Sequence, residues 1–145
     1  MTLRDIELGV ETALNGQWPD MPVYRNQRPE DFVRPSFLVK GGPVSQEEMG
    51  GAVEQFTAQV TVTAFLPVDA YNNSNADDLF RRMSEVMALF AGGYVQIGDR
   101  CPHVTVLTGD YGLDYAAVAA TLRWHEAWET GEEYPLMREL KINTK

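Results

Sequence analysis

Residues 54–66, EQFTAQVTVTAFL, alternate almost without a break. Phe56, Ala58, Val60, Val62, Ala64 and Leu66 fall on one face, and Thr57, Gln59, Thr61 and Thr63 on the other. Side chains on a strand point to opposite faces with a period of two. The run of Thr and Val adds β-branched stiffness that suits a pleated surface. The stretch is therefore a long strand with one buried and one wetter face, and the rest of the chain is organised around it.

The chain has 145 residues, enough for one domain with a real core, and residues 1–145 read as a single domain. Its 44% hydrophobic and 23% charged content is that of a globular protein. The net charge is −9, from 12 basic and 21 acidic residues. That argues against gripping nucleic acid by its phosphates, which takes clusters of Lys and Arg. Only Arg81 and Arg82 are adjacent. The single cysteine, Cys101, excludes an intrachain disulfide and reads as a small half-buried hydrophobe in a reducing compartment. No apolar run approaches the ~20 residues of a membrane span. The opening MTLRDIELG has an early acidic residue and no apolar core, unlike a signal peptide.

Leu3, Ile6, Val10, Ala13 and Leu14 recur at helical spacing, with Arg4, Asp5, Glu7 and Glu11 opposite them. Thr2 with Asp5 three residues on forms an acidic capping box, and Asn15-Gly16 marks the end. Trp18 is expected to pack back on the sheet. A short strand around Val23 and Tyr24 precedes a second at 35–40, PSFLVK. Residues 41–51, GGPVSQEEMGG, carry glycine pairs at both ends of an acidic middle and read as the mobile tip of a long hairpin. After Pro67, Asn75 or Ser74 caps a second helix. Its apolar stripe is Leu79, Phe80, Met83, Val86, Met87 and Phe90, with Arg81, Arg82 and Glu85 to solvent and Gly92-Gly93 as the stop. Three extended pieces are predicted next, at 94–97, 103–108 and 116–128. The last is rich in alanine and permits helix, but its alternation favours strand. Residues from about 129 read as a loose charged tail, with a short strand or helix near Leu136 to Leu140. The predicted class is α+β: a two-layer sandwich, mainly antiparallel sheet, with two helices packed on one face.

No catalytic, cofactor or metal site is expected. His103 and His125 sit on predicted strands without HxH, HExxH or CxxC spacing and read as partly buried strand histidines. No GxSxG is present, and the carboxylates at Asp110, Asp114, Glu126, Glu129, Glu132 and Glu133 read as solvated faces rather than acid–base pairs. The 41–51 segment lacks the Lys-Ser/Thr of a phosphate loop, and Glu47 and Glu48 would repel phosphate.

The pattern as a whole resembles small tail terminator proteins of long-tailed phages and Gram-positive prophages. The likeness rests on the TLRDIELGVETAL helix, the PSFLVK strand, the long alternating strand after a glycine-bearing hairpin, the LFRRMSEVMALF helix and the final LRWHEAWE strand. It covers nearly the whole chain and is one of element order. It implies a non-enzymatic virion protein, assembled in the bacterial cytoplasm, without cofactors. It further implies a homo-oligomer, a hexameric ring that caps the tail tube, stops its polymerisation and joins tail to head. The implied partners are the tail tube protein and the head–tail connector. No membrane is involved, and no specific nucleic-acid binding, although DNA passes through the ring. The competing readings are another head–tail joining or tail-completion protein and a ligand-binding or enzymatic α+β domain. Within the ring reading, Gly41, Gly42, Pro43, Val44, Glu47, Glu48, Met49, Gly50 and Gly51 form the expected interface with a neighbouring subunit or the tube.

Overall fold

A computed structural model of the protein describes residues 1–127. The tail expected from about residue 129 lies outside the described residues, as does Trp128. In chain order the elements are α1 (Leu3–Gln17), β1 (Val23–Arg25), β2 (Ser36–Gly50), β3 (Val53–Phe65), α2 (Ala76–Ala88), β4 (His103–Tyr111) and β5 (Tyr115–Ala127). The strands form one sheet in the order β1-β2-β3-β5-β4, so the alternating stretch is the central strand. β1 pairs with β2 in parallel, and every other neighbour pair is antiparallel. The fold is α+β.

The two faces of the sheet follow the alternation of β3. Ala58, Val60, Val62 and Ala64 are buried, and their partners across β5 are Leu122, Ala120, Val118 and Ala116. Across β2 the partners of Val62 and Ala64 are Val39 and Phe37. Ile6, Val10 and Leu14 of α1 and Val86 of α2 close over this face, in one core with Trp124 and Phe90. Trp18 packs on Phe37, as expected, with ring centroids 5.1 Å apart. Both helices start as read. Asp5 donates its N–H to Thr2 Oγ1, the Thr2 N–H donates to Asp5 Oδ2, and Asn75 Oδ1 accepts from the Asp78 N–H.

The opposite face carries Thr57, Gln59, Thr61 and Thr63 of β3 with Ala117, Ala119, Thr121 and Arg123 of β5, all half-buried. No helix covers it among the described residues. One end is closed by Phe32, which packs on Phe65 at 4.8 Å. Arg34 locks that end: it donates to the Leu66 carbonyl (2.9 Å), the Asp114 carbonyl (3.0 Å) and Asp114 Oδ2 (2.6 Å).

Several sequence expectations change. Residues 94–97 form only isolated bridges, Tyr94 to His103 and Ile97 to Arg100, because glycines at 93 and 98 with positive φ turn the chain on both sides. The alanine-rich stretch, by contrast, is a strand as its alternation favours, over thirteen residues paired from Tyr115 to Ala127 along the whole of β3. That pairing satisfies its backbone and outweighs alanine's helical propensity. Glu7 points inward rather than to solvent and is 5% exposed. Arg82 lies over Trp18, 5.2 Å from the ring, instead of in water. Phe80 leaves the apolar stripe for the surface, where it meets Tyr111 edge-on. Cys101 and His125 are exposed: Cys101 lies in the loop before β4, and His125 stands on the uncovered face of β5 past the end of its pairing with β4.

Candidate assembly interface

The hairpin β2–β3 is longer than its sequence implies. Residues 41–51 were expected as a loop, yet all but Gly51 belong to strand β2. Their backbone pairs with β3 from Gly41↔Val60 out to Gly50↔Val53. The glycines and the proline mark irregularities in a strand, not its absence. The register slips between Gly41 and Val44, so Gly42 and Pro43 form a bulge, where a residue without an N–H is tolerated. The true turn is Gly51-Ala52, with φ of +61° and +64°. A two-residue hairpin of the primed type demands such values at both positions.

A buried carboxylate fixes the base of this arm. Glu7 Oε2 accepts the Gly41 N–H (2.9 Å), while Glu7 Oε1 accepts from Asn26 Nδ2 (3.1 Å) and lies 3.6 Å from Arg25 Nε. One side chain thus ties α1, the end of β1 and the bulge of β2 together. Gly41 leaves room there: an added Cβ would stand 3.0 Å from Leu3 and 3.1 Å from the Glu7 carboxylate, so both side chains would have to shift.

Beyond this anchor β2 becomes an edge. β1 stops pairing at Arg25↔Val39, so residues 43–50 have only β3 beside them. Val44 is 47% and Met49 53% exposed, and Glu47 and Glu48 point into solvent. Gln46 donates to Glu54 across the strand pair. All nine residues singled out from the sequence therefore lie on one projecting arm. An exposed strand edge with apolar side chains is a template for another chain, and charges on it select the partner.

On the opposite margin of the sheet lies a feature that sequence reading passed over. Tyr94, Arg100, His103, Arg123 and His125 surround an open hollow of about 530 Å³. Tyr94 packs on the His103 ring at 5.1 Å, and Arg123 lies 3.5 Å from His103 Nδ1. Arg100 also faces Glu126, at 3.7 Å. The Glu126 carboxyl is held below the usual carboxylate range by hydrogen bonds from the Met1 amine and the Trp124 indole. The only sequence signal for this cluster is the i, i+2 spacing of Arg123 and His125. The other members come from separate segments.

Among the described residues, no group of three or more His, Cys, Asp or Glu is placed to hold a metal ion. No helix among them is long and apolar enough to cross a membrane. What the fold offers is an exposed strand edge and a charged margin. The family described as phage tail terminator protein matches residues 5–110. The chain belongs to that family. The match takes in both helices, β1 to β3 and nearly all of β4, and so includes the whole projecting arm. A tail terminator is structural rather than enzymatic, and its place is the virion tail. No curated protein matches this terminator chain. One solved structure aligns over 94% of this chain and 99% of its own at 18% identity, with a TM-score of 0.44. That likeness is too loose to carry an argument.

Proposed function

We propose that this terminator forms a closed ring, a hexamer, that caps the tail tube, stops its polymerisation and offers a surface to the head connector. The observation that carries the reading is the family match over residues 5–110, which takes in the arm formed by β2 and β3. A ring needs heterologous contacts, one patch meeting a different patch through a rotation that closes. An edge at residues 43–50 on one side of the sheet and the β4 margin on the other are two such patches. The partners are the tube protein and the connector. The net charge of −9 fits a ring through which DNA passes without sticking. Assembly takes place in the host cytoplasm before the tail meets the head. Electron microscopy of particles made without this protein tests the reading. Overlong tubes and unjoined heads are expected; tails of normal length attached to heads would overturn it.

A further inference from the structure

The two margins of the sheet carry opposite charge at the same height. Ser45 pairs with Thr57, Thr57 with Arg123, Arg123 with His103, and His103 with Tyr94. One continuous rung therefore joins the acidic arm to the basic hollow. Two residues further along the arm, Glu47 pairs with Gln55, and Gln55 with His125. Residues directly opposite on neighbouring strands share a face. Glu47, Arg123 and His125 thus all belong to the face that no described helix covers.

Among the described residues the walls of the hollow contain no carboxylate, in a chain where acidic residues outnumber basic ones by 21 to 12. A carboxylate-bearing segment is its electrostatic complement, and every copy of the chain presents one on the opposite margin. We infer that the acidic arm of one subunit docks in the basic hollow of the next, with Glu47, level with His125, meeting the Arg123–His125 pair. The inference rests on the ring reading above. With the strands along the ring axis, patches at nearly one height meet by rotation with little rise, which closes a ring. Nucleic-acid phosphate is the other anion such a hollow takes. It is disfavoured because the basic groups form one compact cluster, not a stripe along a strand or helix, on a molecule whose overall charge repels DNA.

A charge-swap cycle decides. The molar mass of the wild type, Glu47→Arg, Arg123→Glu and the double variant is measured by size exclusion with light scattering, with circular dichroism as the check on folding. The wild type is expected as a ring at about 0.15 M salt and to weaken at 1 M, where the screening length falls to about 3 Å. Each single variant is expected to shift to monomer, with assembly weakened about tenfold or more because a small loss repeats at every interface. The double variant is expected to recover the ring. If Arg123→Glu does not fold, the exposed His125→Glu replaces it in the same cycle. Single variants that assemble like the wild type overturn the docking and leave the ring standing. A wild type that is monomeric at all concentrations and absent from tail ends overturns the ring itself, and the docking with it. Rings that stay whole in Arg123→Glu while salt-sensitive retention of duplex DNA is lost assign the hollow to phosphate and overturn the proposal.

Discussion

Val62 and Thr61 are neighbours in the chain and opposites in the fold. Val62 is 1% exposed between Val39 and Val118, while Thr61 stands on the uncovered face between Lys40 and Ala119. Val62→Asp places an unpaired charge under both helices and is expected to cost more than about 4 kcal/mol, enough to unfold the domain. Thr61→Asp faces Lys40 and is expected to stay within about 1 kcal/mol. Denaturant melts with equal losses for the two would remove the register on which both faces depend. Period two alone made this contrast legible in the sequence. Glu7 was not legible because its charge argued for solvent, although its spacing, four after Leu3 and three before Val10, lies on the apolar stripe. It is buried because Asn26, Arg25 and the Gly41 N–H, all distant in the chain, converge on it. Glu126 gives a pH prediction. Its folded pKa lies below the ordinary carboxylate value, so its contribution is complete above the unfolded pKa and is lost as pH falls through the lowered folded one. Wild type is therefore expected to exceed Glu126→Gln in stability at pH 7, with the gap closing as the medium becomes acidic. A gap that widens in acid would reverse the sign.

At the level of elements, the hairpin shows why glycine and proline mislead. A stretch with glycine pairs and a proline has the composition of a loop. Here β3 supplies partners along most of the stretch, and the irregular residues are absorbed as two register shifts, at Gly42-Pro43 and at Met49, and a turn. Both helices were legible through their caps and spacing, because those signals are local. The extent of β2 was not, because it is set by its partner. The residue under strain is Ala52, whose φ of +64° is a left-handed value in a residue with a Cβ. Ala52→Gly and Ala52→Asn suit that backbone, and each is expected to raise stability by up to about 1 kcal/mol. Chemical denaturation checks this, and a loss in both variants would mean that the turn takes another form.

For the whole molecule, the decisive contrast is between a core under two helices and an arm whose outer strand has only β3 beside it and whose inner strand meets only β5. Residues 46–55 add pairing to the sheet but no member to the buried core, which begins inward at Ala58. The residues of the arm were legible as a group because they are contiguous in sequence. The basic hollow was not, since strand pairing brings Arg123 and His103 together across twenty residues. Removing residues 47–55 and joining Gln46 to Phe56 through Asn-Gly tests the division between fold and assembly. Ser45 still pairs with Thr57, and the Glu7 anchor at Gly41 is untouched. The shortened protein is expected to keep a cooperative melt, with a modest fall in stability from the lost edge. It is also expected to remain monomeric and to fail to restore tails in particles that lack the native protein. A ring-sized species with restored tail length would show that the arm only connects two strands. A collapse of the melt would show that the arm belongs to the folding unit, which the absence of its side chains from the core argues against.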